Sequence, residues 1–132
     1  MVSIKDLISI PFVSGGRSIS SGFDCWGLVM EVYRRCGIKL PDFHIDSFAF
    51  KAIDALANKT IQEQEWESVS PWRGKFPLVV LMRMHPKLIT HAGVLIKNNR
   101  IIHTTKSTGC IISRAQALQS RIEGYYRYVP GN

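Results

Sequence analysis

The stretch SGFDCWGLVMEVYRRCG, Ser21 to Gly37, constrains this chain more than any other. Leu28, Val29, Val32 and Cys36 recur behind Cys25 at three- and four-residue intervals, and Glu31, Arg34 and Arg35 take the opposite face. This spacing predicts an amphipathic helix. Asp24 is a side-chain cap of the favoured type, and Gly37 supplies the stop. Cys25 therefore falls in the first turn and on the buried stripe, its sulfur directed at whatever packs there. A helix start carries unpaired N–H groups and roughly half a positive charge, which favour a thiolate and, later, an oxyanion. A cysteine so placed can have its pKa lowered from ~8.5 by one to several units. The competing reading is a small apolar residue in a core, and the downstream sequence has to decide.

At 132 residues the chain has room for one sizeable core, so residues 1–132 are expected to form a single domain. A hydrophobic fraction of 45% fits a globular protein, with no linker, repeat or low-complexity run. The opening MVSIKDLISIPF interrupts its apolar residues with lysine and aspartate, so no signal peptide is read there, and no apolar run reaches membrane-spanning length. The expectation is a protein made in the cytoplasm without an export signal of its own. Cys25, Cys36 and Cys110 lack CxxC or Cys/His metal spacing, so no disulfide framework, metal or cofactor is expected. Cys36 and Cys110 read as structural.

The net charge of +7 is unevenly spread. Up to Glu67 there are seven Lys/Arg against nine Asp/Glu; from Ser68 onward there are ten against the single Glu123. A basic second half favours an anionic partner, which could be nucleic acid, a cell-wall polymer or a phospholipid head group, or is simply a solvated face. The aromatics are not interleaved with the lysines and no nucleic-acid motif is present, so no nucleic acid is expected.

Val2 to Ile10 reads as a short helix or an extended arm, and Pro11 to Gly22 as a glycine- and serine-rich loop that delivers the chain to Cys25. Ile38 to Phe43, containing Pro41, should cross in extended form. Asp46 is expected to cap a second helix with a stripe of Phe48, Ala49, Ala52, Ile53 and Leu56. From Asn58 to Lys75 periodicity fades, and Glu63, Glu65 and Glu67 around Trp66 read as a solvated face. Five strands are expected after that: Leu78 to Met84, Ile89 to Lys97, Arg100 to Thr105, Cys110 to Arg114 and Tyr125 to Val129. Helices first and strands after give an α+β fold, helices on one side of a mostly antiparallel sheet of about five strands. The other side must be covered by loops or left wet.

His91 and His103 lie in the two strands that flank Asn98-Asn99. A two-residue turn would pair residues summing to 197 and put the histidines on opposite faces. A three-residue loop ending in Asn99, which tolerates the left-handed conformation, pairs residues summing to 196. His91 and His103 then become diagonal neighbours on one face, with Gly93 opposite His103 and leaving room for a substrate. A thiolate needs an imidazole to hold the ion pair and protonate a leaving amine, and that imidazole needs a partner to fix its tautomer. His44 and His85 lack such context and read as loop histidines.

GFDCWGLVMEVYRRCGIKLPD, THAGVLIKNNRIIHTT and GYYRYV, in this order and spacing, resemble the NlpC family of cell-wall cysteine peptidases, most of all its phage-tail branch. The resemblance spans about Pro11 to Val129. It implies a papain-like fold, Cys25 as nucleophile, His91 as general base and acid, His103 as the residue orienting His91, and the Cys25 amide in the oxyanion hole. It further implies hydrolysis of peptidoglycan stem peptides through a thioester acyl-enzyme, in a phage or prophage tail protein that acts at the wall and contacts other tail proteins. Asp24, Trp26 and Phe12 are the candidates for oxyanion and substrate contacts. Phe12 stands where the family often has tyrosine, Trp26 where many members have serine, and Pro77-Leu78 where a Gly-Asp pair commonly opens the sheet. These departures bear on substrate rather than chemistry, and they support the alternative of a non-catalytic structural or wall-binding tail protein on the same fold.

Overall fold

A one-turn 3-10 helix at Lys5–Leu7 is followed by a small hairpin, β1 (Arg17–Ser18) with β2 (Gly22–Phe23), and then by helix α1 (Cys25–Arg35). These come from a computed structural model that describes residues 2–72, 76–85 and 87–131. Asp24 caps α1 from an extended backbone, its side chain accepting the Gly27 N–H. Gly37 ends the helix in the left-handed region at φ +82°. Its N–H donates to the Arg34 carbonyl while that of Ile38 donates to Tyr33, the paired bonds of a Schellman stop. Leu28, Val29, Val32 and Tyr33 are buried, each aliphatic side chain contributing about 1.5–3 kcal/mol. The Tyr33 hydroxyl donates to the Pro77 carbonyl at 3.0 Å, so the helix is pinned to the strand that follows by a satisfied polar group.

The second helix, α2 (Phe50–Thr60), begins later than the position of Asp46 suggests. Asp46 caps a turn instead: its side chain accepts from the Phe48 N–H and its carbonyl from Ala49. With the start displaced, the inward stripe is Phe50, Ile53, Leu56, Ala57 and Thr60, whereas Phe48 and Ala52 are exposed.

The main sheet has six strands, one more than expected, in the order β3 (Trp66–Ser68), β8 (Ile122–Tyr128), β4 (Leu78–His85), β5 (Leu88–Ile96), β6 (Arg100–Thr105), β7 (Gly109–Arg114). All its described ladders are antiparallel. The extra strand β3 is three residues long and carries a glutamate, so no hydrophobic pattern announces it; backbone pairing with β8 makes it, and Trp66 anchors it in the core. Glu63 and Glu67 around it are exposed, as read. Residues 73–75, at the end of the aperiodic stretch, lie outside the described residues.

Each sheet face carries a core. Val79, Leu81, Ala92, Val94 and Ile102 meet α1, which packs on β5 and β6. Leu78, Val80, Met82, Leu95 and Ile101 are covered by Ala115 and Leu118 from α3 (Ala115–Leu118), a one-turn helix the periodicity did not signal. The second face is therefore closed by a helix turn rather than by loops or water.

Candidate active site

Three segments meet at the first turn of α1, and Asp24 with Arg17 ties them together. One Asp24 oxygen accepts from Gly27 N–H at 2.7 Å and from Arg17 Nη1 at 2.6 Å; the other accepts from Gly15 N–H at 3.1 Å. Arg17 also donates to Asp42 and to the Phe43 carbonyl, bringing the crossing segment after α1 to the same point. Gly27 is required here, because a Cβ would run into the Gly16 carbonyl, itself held by Arg17. Asp24 is thus 4% exposed with both oxygens engaged by the protein, and its charge fixes the helix start on which Cys25 stands.

The hairpin of β5 and β6 settles the register question raised by the sequence. Val94 pairs with Ile102, Leu95 with Ile101 and Ile96 with Arg100, every sum 196, around a three-residue loop in which both Asn98 (φ 66°) and Asn99 (φ 56°) are left-handed. His91 and His103 consequently meet: His91 Nε2 lies 2.8 Å from His103 Nδ1. A Cβ at Gly93 would come within 3.0 Å of Ile101, the Ile102 carbonyl and His103 Cβ. The glycine therefore admits the neighbouring strand and the base of the His103 side chain; the space read as substrate access is filled by the protein.

Past Val94–Ile102 the β5–β6 ladder stops, although β4–β5 and β6–β7 continue beside it. At this opening the backbone N–H groups of Ala92 and Trp26 approach the Cys25 sulfur. Cys25 and His91 line one cleft of about 300 Å³. Its walls are largely apolar, formed by Phe12, Trp26, Phe43 and Trp66 together with the inward stripe of α2. Trp26 is half-buried, its indole N–H donating to the Pro41 carbonyl at 2.9 Å and its ring against Phe43 and Trp66, with centroids 5.1 and 6.1 Å away. Phe12 is half-buried and bridged to Phe23.

The electrostatics differ from the helix-start expectation. Burial, then the Asp24 charge, push the Cys25 thiol up to about 11, against the opposing pull of the Ala92 and Trp26 amides and Arg17. Burial and the adjacent His103 push His91 down to about 3, and burial lowers His103 as well. These shifts favour a neutral resting thiol and neutral imidazoles over a preformed ion pair. His91 meets His103 through Nε2, so if that nitrogen carries the proton, Nδ1 has a free lone pair and can accept one.

Sequence reasoning missed the next link, Ser113 on β7, whose Oγ is 2.8 Å from His103 Nε2. Ile101 pairs with Ser113 and His103 with Ile111, so Ser113 is the diagonal neighbour of His103, as His103 is of His91. The signal was available in the spacing of the second hairpin. His44 is exposed, as read; His85 ends β4 and stacks on Phe50 with centroids 4.3 Å apart. Cys36 and Cys110 are free thiols, and among the described residues no group of three His, Cys, Asp or Glu could hold a metal ion.

The NlpC/P60 family profile matches residues 9–126. Over 111 residues, 80% of this chain, the sequence is 32% identical to a gamma-DL-glutamyl hydrolase of Bacillus subtilis strain 168. Over 104 residues, 74% of this chain, it is 30% identical to tail tip assembly protein K of Escherichia phage N15. The matches span 22% and 38% of those proteins' own lengths. A solved NLP/P60 lipoprotein from Staphylococcus aureus Mu50 superposes with a TM-score of 0.64 over 94% of this chain and 38% of its own, at 20% identity, which is a likeness of fold.

Proposed function

The chain belongs to the NlpC/P60 family, and on that premise we propose that it is a cysteine peptidase that hydrolyses peptide bonds in peptidoglycan stem peptides, as part of a phage or prophage tail. The observation that carries this reading is a cysteine at a helix start sharing one cleft with a histidine that is hydrogen-bonded to a second histidine. Cys25 attacks the scissile carbonyl as His91 Nδ1 takes the thiol proton, and the amide of Cys25, at the positive end of α1, receives the developing oxyanion. His91 returns the proton to the leaving amine, and water then attacks the thioester with His91 again as base. His103, accepting from His91 Nε2–H, holds the ring in the tautomer these steps need. Since the resting thiol is neutral, proton removal and attack are coupled, and no standing thiolate is required. Tail association rests on the likeness to a tail tip assembly protein, and the basic second half supplies attraction to an anionic wall polymer.

A second reading has its own support. The raised Cys25 thiol and the aromatic walls at Phe12 and Trp26 suit a non-catalytic tail-assembly or wall-binding module on the same fold. One experiment separates the two. Purified protein and a Cys25→Ala variant are incubated with peptidoglycan fragments under reducing conditions, and new amines are sought by mass spectrometry. Cleavage by the wild type alone is expected; cleavage by neither, with both folded, selects the non-catalytic module.

A further inference from the structure

We propose that the Cys25 cleft selects a substrate whose group beside the scissile bond is apolar and carries one carboxylate, received at the rim by Lys106. This rests on the thiol-hydrolase reading and narrows its substrate class. The cleft is of a size that takes a small ligand, and its interior offers hydrocarbon and aromatic surface from Trp26, Phe43, Ile53 and Leu56. A group burying apolar area there gains affinity by roughly threefold to fourfold per methylene. A carboxylate in that interior would lack a partner, which excludes charge from the depth of the cleft.

Charge at the rim is another matter. Among the described residues lining the cleft, Asp24 is already paired with Arg17 and three N–H or guanidinium contacts hold its oxygens. His91 is held neutral by burial. His85, which also lines the cleft, is stacked on Phe50, and Lys106 is the one lysine or arginine among the described lining residues. It follows β6, three residues beyond His103, and its Nζ lies 5.5 Å from the centre of the Phe48 ring. No acidic side chain among the described residues pairs with it. The pairing of an apolar floor with one unneutralised cation at its edge is complementary to an amphiphilic anion: hydrocarbon inward, carboxylate outward.

The test is an NMR titration of the full chain with octanoate, octanamide and acetate, following the Trp26 indole N–H and the β5 amides. Octanoate is expected to bind saturably, octanamide about threefold to fivefold more weakly and acetate not at the same concentrations. Lys106→Met, at an exposed position, should bring octanoate to the octanamide level and leave octanamide unchanged. Equal binding of octanoate and acetate, or octanoate binding that ignores Lys106→Met, overturns the inference. Octanoyl and acetyl thioesters, with acyl-Cys25 read by intact mass, keep the two readings apart. Lys106-dependent octanoate binding with neither acyl-Cys25 nor release of the thioester's thiol sustains the cleft inference and removes the hydrolase reading; acetyl transfer to Cys25 or thiol release with no octanoyl preference does the reverse.

Discussion

At Cys25 two effects of different size oppose each other. The helix dipole alone supplies about 0.3–1 kcal/mol toward the thiolate, and the larger lowering that a helix-start cysteine can reach needs a cation beside it, whereas loss of water around a buried thiol raises the pKa over several units. Burial wins, and the thiol stands at about 11. Iodoacetamide labelling of Cys25 is therefore expected to climb from about pH 8 to about pH 10. A rate already at its plateau by about pH 6 would mean that His91 takes the proton in the free protein and that the neutral resting pair is wrong. Ser113 gives a second residue-scale prediction. If His91 Nε2–H donates to His103 Nδ1, then His103 donates its Nε2–H to the Ser113 hydroxyl, which must accept. Ser113→Ala removes that acceptor and frees His103 to take the other tautomer. We expect kcat to fall by roughly tenfold, a fraction of the about 10²–10⁴ due to general acid–base catalysis, with KM little changed. Ser113→Thr should restore most of the loss, and an unchanged kcat in Ser113→Ala would show that the hydroxyl only fills space.

Elements differ in how plainly the sequence announced them, and the difference follows from what stabilises each. Helix α1 carries its own cap, stripe and stop, so its limits at Cys25 and Arg35 follow from local chemistry. The β5–β6 register turned on loop length, which the sequence left open between two residues and three; the structure has three, and with them the meeting of His91 and His103. By contrast, β3 is held by pairing with a strand some sixty residues away, α3 by the core beneath it, and the start of α2 by a turn that captures Asp46. None of these leaves a periodic trace. The raised Cys25 thiol was equally hidden, since burial depends on the elements that close around the helix tip. The cap itself is testable. Asp24→Ala leaves Gly15 and Gly27 N–H groups without their acceptor and Arg17 without its nearest partner, and should lower stability by about 2 kcal/mol in urea denaturation. Asp24→Asn keeps the cap and removes the charge; it should cost less stability and quicken Cys25 alkylation at a fixed pH, because the Asp24 charge is one cause of the raised thiol. Equal loss of stability in both variants would assign the whole effect to the ion pair.

For the molecule as a whole, the buried imidazoles set how it meets acid. His91 folds as a neutral ring with its pKa lowered from 6.5 to about 3, so between those values the unfolded chain binds a proton that the folded chain refuses. Stability is therefore fully present above about pH 6.5 and declines as pH falls toward 3, by about 1.4 kcal/mol per pH unit for one fully titrating group. His103, lowered by burial, adds to the same slope. Asp6, Glu31 and Asp42 are lowered too, but their contribution persists until pH falls below the ordinary carboxylate range, so it cannot produce a loss that begins near pH 6. Urea denaturation at about pH 7, 5.5 and 4.5 should show the imidazole slope before the carboxylate one. His91→Gln gives a lower starting stability, because a buried hydrogen bond to His103 is altered, but a flatter line across this interval. A wild-type line that is level from pH 7 to pH 4.5 would mean that His91 takes up a proton in the fold as readily as in the unfolded chain, and a His91→Gln line of unchanged steepness would place the slope on other groups. Either result would overturn the lowered His91 pKa on which the neutral resting site rests.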